Sequence, residues 1–415
     1  MKSVKTIPWM VASLLATTSI FGQNQKDQSG CCVPPPPVCK PAKCCVTQVP
    51  QEPRVCAYNA PAEINVGCQC DIDIFVTASF LYWQVLQDNM TIGLTDNIPV
   101  GLTAAGAGTE ASIQGNFIES KFHFKPGFKV GAGLNLQIDD WWAFAEYTRV
   151  HGDTDTHSNG PKSPTNDPTI FATFIHPFLT QASFNLGAGQ LFHTVKSSYR
   201  SNLDFVDAEL GRTYYVGRRL IFHSSWGARA AWILQNIHVT YDNISAAGTV
   251  DPSLLIGSLP STVNVIQRSR SWAVGPRAGL TMDWMLGCGF RFFGSGYGDV
   301  LYTKYKLQDK TTLLPKTVGV NTATALVAGR SVSIITKDRP RGLRAHLDME
   351  MGLGWGTYFD NYMWHFDLSA AYGWQVFFDQ NMFRHYTTSS MVASNVVPNG
   401  NLYVQGLTVT ARIDF

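Results

Sequence analysis

Apolar and polar residues alternate along several long segments of the chain. Residues 128–136, 271–284 and 361–375 follow this pattern, and in residues 344–356 one face carries Ala345, Leu347, Met349, Met351, Leu353 and Trp355. A period of two is typical of β-strands, whereas a helix would scatter these residues around its axis. Each segment is therefore predicted to be a strand with one apolar face.

The predicted strands differ from those of a soluble sandwich or a lipocalin-like barrel. They run for about 13 residues, while strands of soluble proteins usually have about five or six. Trp or Tyr lies near the ends of the apolar face, and Gly and Arg are frequent on the polar face. This combination predicts an all-β fold, a transmembrane antiparallel up-and-down β-barrel with lipid outside, aromatic girdles at both interfaces and a polar lumen.

The predicted connections alternate in length, as they do in outer-membrane barrels with short periplasmic turns and longer extracellular loops. Short turns are predicted at 138–140, 217–219, near Met285 and at 358–360. Long connections are predicted at roughly 86–116, 152–190, 238–267, 308–340 and 376–400. These boundaries predict roughly 10 to 14 strands, where the higher numbers require hairpins within 169–189 and 322–337.

The N-terminal region has a different organisation. Lys2 and Lys5 precede an uncharged stretch, which predicts a cleaved signal peptide over residues 1–22 and export from the cytoplasm. Residues 23–70 are predicted to form a disordered Cys/Pro-rich periplasmic arm, and residues 71–415 the barrel. In an oxidising compartment, disulfides are favoured over a zinc site for the arm's cysteines, which are Cys31, Cys32, Cys39, Cys44, Cys45, Cys56, Cys68 and Cys70.

Composition and charge exclude some classes of function. Charged residues make up 15% of the chain, below the roughly 25% of soluble domains, which agrees with a surface that faces lipid. The formal net charge of +2 supplies no basic field for nucleic acid, which is therefore not an expected partner. The chain contains neither a G-x-S-x-G nor an H-E-x-x-H motif, so catalytic residues, a metal and a cofactor are not expected.

The polar face of the strands is predicted to line the lumen. The expected lumen cations are Lys129, Arg229, Arg277, Arg291, Arg344 and Arg412, and the expected acids are Asp348, Glu350, Asp367 and Asp414. Six cations against four acids predict at most a weak anion preference. His346 and His365 beside these acids allow either a metal or proton-transfer site or an ion-pair network, and the network is favoured because barrel interiors are polar.

Two further residues carry specific predictions. The last residue, Phe415, closes an alternating strand and is predicted to act as the barrel-assembly signature that the assembly machinery recognises. Cys288 lies between Leu286 and Phe290 on the predicted lipid face, so its thiol is predicted to be buried and inert.

Several segments together resemble the Legionella major outer membrane protein family of pore-forming proteins, and the similarity begins at CAYNAP (56–61). The segments are FVTASFLYWQ (75–84), GFKVGAG (127–133), FAEYTR (144–149), DAELGR (207–212), AWILQ (231–235), the 374–383 stretch and QGLT (405–408). The resemblance implies a pore in the outer membrane of a Gram-negative-type bacterium. The cysteine-rich arm is similar to the chlamydia-like branch, which implies disulfide cross-linking to envelope proteins or to another copy.

The sequence therefore predicts a porin that allows passive diffusion of small hydrophilic solutes and ions. Its expected partners are outer-membrane lipid, the barrel assembly machinery, these solutes and disulfide-linked envelope proteins. The alternative is a structural or adhesive surface protein whose barrel is largely filled by its own side chains.

Overall fold

The computed structural model describes residues 73–95, 115–136, 141–160, 170–175, 191–216, 219–244, 260–315, 331–360, 364–385 and 400–415. The predicted signal peptide, the arm and its eight cysteines lie outside these residues. The strands are β1 (Asp73–Gln87), β2 (Thr91–Thr95), β3 (Phe117–Glu119), β4 (Phe124–Leu136), β5 (Trp141–Asn159), β6 (Ile170–Ala172), β7 (Leu191–Val216), β8 (Leu220–Ile244), β9 (Pro260–Gly287), β10 (Phe290–Pro315), β11 (Val332–Asp338), β12 (Arg341–Phe359), β13 (Trp364–Phe377) and β14 (Leu402–Asp414).

Within the described residues, ten antiparallel strands close into a barrel, as predicted for the fold class. Their order around the ring is β1, β4, β5, β7, β8, β9, β10, β12, β13 and β14, and β14 pairs back with β1 from Phe75↔Asp414 to Gln87↔Leu402. The two candidate hairpins add no strand to this ring. The first contains the three-residue β6 and the second the seven-residue β11, which pair with β7 and β10 at the edge.

The first and last strands of the barrel begin and end at the same rim. Backbone hydrogen bonds join Ile74 to Phe415 in both directions at 2.9 and 3.0 Å. The strand ends that flank the short connections after β4, β7, β9 and β12 lie at this rim, which we call the turn end. The strand ends that flank the long connections lie at the opposite rim, the loop end. None of the described residues belongs to a helix that is long and apolar enough to span a bilayer.

An apolar belt surrounds the barrel between two rings of exposed aromatic side chains. The turn-end ring contains Tyr214, Trp284, Phe290, Phe359, Trp364 and Phe415, and the loop-end ring contains Tyr82, Trp232, Trp272, Tyr302 and Trp374. Just beyond the loop-end ring, the outer face becomes polar at Gln84, Arg149, Asp204, Arg270, Lys304, Arg341 and Gln405. This change marks the edge of the lipid-facing surface.

Strands β7 to β10 continue well past the lipid-facing surface. They contain 26, 25, 28 and 26 residues, so much of the predicted long connections at 238–267 and 308–340 is strand. Likewise β5 runs to Asn159 inside the predicted 152–190 connection. The predicted connections were too long and the predicted strands too short. The strands continue beyond the bilayer because their backbone pairing is kept there while the outer face becomes polar.

The turn between β9 and β10 corrects two predictions. The reversal falls at Cys288 and Gly289, whose φ angles are 55° and 82°, rather than near Met285. Because the ladder ends at the Gly287↔Phe290 pair, Cys288 projects past the strand end and is exposed. The structure therefore places Cys288 in the turn and not on the lipid-facing side of a strand.

Candidate functional site in the barrel lumen

A belt of ion pairs lies inside the barrel midway along the lipid-facing surface. Arg229 on β8 donates two hydrogen bonds to the Asp207 carboxylate, at 2.6 and 2.7 Å. Arg277 on β9 lies 2.9 Å from Glu209 and 3.2 Å from both Asp299 and Asp348. We call these residues, together with His346, Glu350, Lys129 and Glu146, the ionic belt.

The ionic belt joins strands that are not neighbours in the sheet. Arg229 Nη1 lies 3.1 Å from Nδ1 of His346 on β12, although β9 and β10 separate their strands. Nδ1 of His346 also contacts the Asp299 carboxylate. The side chains are buried, with Arg229 3% and Asp299 0% exposed. The contacts therefore reach across the lumen and do not merely follow the wall.

A second ionic cluster lies between the ionic belt and the turn end. The Arg291 guanidinium forms two hydrogen bonds with the Asp367 carboxylate, and its Nε lies 3.7 Å from Asp283. On the neighbouring strands, Asp414 accepts from His365 at 3.1 Å and from Arg412. This cluster places paired charges along the half of the lumen nearer the turn end.

Glycines on the inner face provide space for large side chains in the lumen. The ring of Tyr297 lies over Gly279, where a Cβ would overlap it, and the Arg277 guanidinium stacks 4.0 Å from the centre of the same ring. Trp142 occupies the space over Gly211 in the same way. The inner glycines thus allow side chains to lie across a narrow ten-stranded barrel.

All ten of the charged side chains predicted for the lumen lie on the inner face. The structure brings Arg229, Arg277, Lys129, Asp348 and Glu350 into the ionic belt, and Arg291, Asp367, Arg412 and Asp414 into the cluster below it. Arg344 stands apart from both, since it contacts Asp379 at 3.6 Å and the Tyr305 hydroxyl at 3.2 Å near the loop end. His346 and Asp348 therefore belong to an ion-pair network, and the described residues contain no group of His, Cys, Asp and Glu side chains suited to a metal ion.

Sequence reasoning missed five carboxylates of the ionic belt and the second ionic cluster, namely Glu146, Asp207, Glu209, Asp283 and Asp299. Their signal was available, because each alternates with apolar residues that face outward. Added to the four acids that were predicted, they give nine carboxylates against the six predicted cations. The expectation of a weak anion preference therefore rested on an incomplete set of lumen residues.

Next to the ionic belt, on its loop-end side, an apolar layer crosses the lumen, where a polar interior was predicted. Phe205 on β7 and Phe377 on β13 come from opposite sides of the ring, and their rings stack with centroids 5.4 Å apart. Around them pack the buried side chains of Leu81, Trp83, Val85, Val150, Leu203, Ile233, Leu301, Leu402 and Val404. The alternation fails here because β8 is apolar on both faces at residues 231–234.

The loop end is closed further by residues 378–385, which follow β13 and which we call the mouth segment. Gln267 and Arg384 exchange two hydrogen bonds of 2.8 Å between the Gln267 amide and the Arg384 backbone. Gln380 accepts from the Tyr305 hydroxyl at 2.9 Å and donates to Ser271 at 3.0 Å. Asn381 Nδ2 donates a fifth hydrogen bond, to the Asp88 carbonyl oxygen at 2.6 Å. These five hydrogen bonds hold the segment in the barrel mouth.

His385 anchors the end of the mouth segment above the lipid-facing surface. Its Nε2 lies 2.6 Å from the Asn89 carbonyl oxygen, and its ring packs 4.1 Å from that of Phe174. Burial lowers the pKa of this imidazole, although the hydrogen bond to Asn89 opposes the shift. The neutral form of His385 is therefore the form that fits the closed mouth.

The comparisons with known proteins concern the barrel. The family model described as the Legionella pneumophila major outer membrane protein precursor matches residues 71–415. No curated protein matches the chain in sequence. Among solved structures, the outer-membrane protease OmpT of Escherichia coli is 10% identical, with 83% of this chain and 96% of that chain covered and a TM-score of 0.31.

Two transporters give similar values. A FadL homologue of Pseudomonas aeruginosa is 8% identical, with 83% of this chain and 90% of that chain covered and a TM-score of 0.28. The toluene transporter TbuX of Ralstonia pickettii is 10% identical, with 83% and 88% covered and a TM-score of 0.26. At these TM-scores the structural similarity carries no argument about substrate or activity.

Proposed function

Because the chain belongs to the Legionella pneumophila major outer membrane protein family, we propose that this outer-membrane protein forms a pore for small hydrophilic solutes and ions. The observation that carries the proposal is the ionic belt. Burying ion pairs costs desolvation free energy, and an apolar filling of the same volume is often equally or more stable. The charges inside the barrel therefore favour a function in ion passage over a purely structural function, for which an apolar interior would serve as well.

The balance of charge in the lumen gives the proposed pore a preference for cations. Acids outnumber cations among the inner-face residues, with Glu146, Asp207 and Glu209 adding to the predicted acids. Rings of acidic side chains favour cations in pores. The turn end corresponds to the periplasmic side, because short turns lie on that side in outer-membrane barrels.

A second candidate function is a structural surface protein with a filled barrel. The Phe205 and Phe377 stack and the mouth segment favour it, because both occupy the lumen on the loop-end side. For a pore, these two features and the ionic-belt contacts that cross the lumen form a closed state, and conduction requires that they move apart. The two candidates therefore differ in whether the interior opens at all.

Proteoliposomes test the proposal and separate the two candidates. The wild-type protein is expected to release entrapped K⁺ slowly, and the Phe205→Ala/Phe377→Ala variant is expected to release it faster. The matched control is Val206→Ala/Val376→Ala, which alters the adjacent outer-face residues of the same strands and is expected to behave as wild type. If none of the three proteins releases K⁺ above empty vesicles, the pore proposal is wrong and the filled barrel is supported.

A further inference from the structure

A group of cations covers one sector of the outer surface just beyond the loop-end aromatic ring. These residues, which we call the basic patch, are Arg268, Arg270, Lys304, Lys306, Lys310, Lys337 and Arg341. On β9 and β10 they alternate with buried residues such as Ser269 and Tyr305, so their side chains point away from the lumen. All except Lys310, which is partly covered, are exposed.

The register places like charges directly beside one another in the basic patch. Arg270 lies opposite Lys306, and Lys304 lies opposite Arg341 on the next strand. Like charges in directly opposed positions destabilise a sheet. Within the part of the chain that the structure describes, none of the seven cations forms an ion pair with a carboxylate. No described carboxylate therefore relieves their repulsion, so the basic patch offers charge to an external anion.

The opposite wall of the barrel shows a balanced arrangement at a similar height. Arg200 on β7 lies opposite Asp153 on β5, and Arg149 on β5 lies 4.0 Å from Asp204 on β7. Lys125 on β4 lies 2.7 Å from Asp153. Cations on this wall thus have acidic neighbours. The basic patch is a local property of the β9 to β12 sector, since the whole chain has a net charge of only +2.

The basic patch also lies at the depth of lipid headgroups. Lys304 is directly opposite Trp272 of the loop-end ring, and Tyr302 and Leu343 are exposed one step closer to the bilayer centre. Long cationic side chains at such an interface reach headgroup phosphates while their stems cover apolar surface. Arginine forks bind phosphate oxygens in pairs, and clustered lysines add charge.

We propose that the basic patch binds the phosphorylated headgroup of a glycolipid in the outer leaflet of the membrane. Several cations in two adjacent rows match a headgroup that carries more than one phosphate. The apolar surface below them, including Trp272 and Tyr302, accommodates acyl chains. This inference does not depend on the pore, because the basic patch lies on the outer wall and contacts no residue of the ionic belt.

Native mass spectrometry of the full mature protein in non-ionic detergent tests the proposal with diphosphorylated lipid A as the probe. The wild type is expected to retain lipid A, and Arg270→Gln/Lys306→Gln is expected to lose at least fivefold in retention. The matched control is Lys196→Gln/Arg200→Gln, which removes two exposed cations from the outer face of β7 and is expected to stay within twofold. Arg270→Lys keeps the charge and is expected to retain the lipid.

Three competitors identify the ligand. Lipid A without phosphates, phosphatidylglycerol and inorganic phosphate are each expected to displace labelled lipid A at least tenfold less effectively than unlabelled lipid A. Equal displacement by phosphatidylglycerol would reduce the basic patch to a general anionic surface, and displacement by inorganic phosphate would make it a site for the free ion. Either result overturns the glycolipid assignment, as does equal retention by the Arg270→Gln/Lys306→Gln variant.

Discussion

The rings of Phe205 and Phe377 meet inside the barrel with centroids 5.4 Å apart and an angle of 23° between their planes. Their strands are separated by five steps around a ring of ten, so the pair bridges the lumen. Arg229 lies 5.4 Å from the Phe205 ring, and His346 lies 4.0 Å from the Phe377 ring. The aromatic pair thus forms the boundary between the ionic belt and the apolar layer of the lumen.

The first prediction concerns the stability of the ionic belt. Replacing Arg229 by Met leaves the buried carboxylates of Asp207 and Asp299 without one of their cations. Removing one partner of a buried ion pair typically costs about 3–5 kcal/mol. We expect the free energy of unfolding in urea to fall by that order. Arg412→Met is the control, because this side chain is 26% exposed and its loss is expected to cost much less.

The second prediction concerns charge selectivity. Neutralising Glu350 and Asp283 on the inner face removes two negative charges from the proposed path, so Glu350→Gln/Asp283→Asn should conduct with a weaker cation preference. The measurement is the reversal potential under a KCl gradient. Asp153→Asn removes an acid from the outer face and should leave the potential unchanged. A potential that does not move in the double variant would remove these acids from the path.

The third prediction concerns acidification and the mouth segment. Because the pKa of His385 is lowered in the closed mouth, that state binds fewer protons than the opened one. Its stability is therefore complete above the ordinary imidazole pKa of about 6.5 and decreases as the pH falls below it. The hydrogen-exchange rate of residues 378–385, divided by the intrinsic amide rate at each pH, should increase between pH 7 and pH 5. His385→Gln should remove most of this pH dependence, and an unchanged profile would exclude His385 as its cause.

The fourth prediction concerns the cysteine arm, which we propose cross-links the protein to envelope partners or to other copies. Non-reducing gels should show high-molecular-weight species that collapse on reduction. Deleting residues 24–70 should abolish them and leave an assembled barrel, whereas Cys288→Ser should not. Cys288 is exposed at the turn end, which makes this control necessary. An oxidised protein that runs only as a monomer would contradict the cross-linking role.

The barrel and the inward direction of the charged residues were predictable because alternation has a simple physical origin. Lipid on one face and the lumen on the other impose a period of two on β12 and β13, and Asp348 and Asp367 follow directly from it. The same rule would have found Glu146 and Asp299. Both lie at inner-face positions of alternating strands, Glu146 between Ala145 and Tyr147 and Asp299 between Gly298 and Val300.

Other features depend on contacts between distant parts of the chain. Phe205 and Phe377 are both apolar residues on inner faces, where a polar lumen was expected, and no local pattern shows that they meet. The Gln267 and Arg384 contact likewise joins β9 to the mouth segment across 117 residues of chain. The basic patch emerges only when the register brings Arg270 beside Lys306.

Single-channel recording of the Phe205→Ala/Phe377→Ala variant in planar bilayers tests the central claim that the aromatic pair closes an ion path through the barrel. The predicted result is longer openings of larger conductance than in wild type, with a reversal potential on the cation-selective side under a KCl gradient. The Val206→Ala/Val376→Ala control should match wild type. A correctly folded Phe205→Ala/Phe377→Ala variant that carries no current, or one whose reversal potential lies on the anion side, would contradict the account.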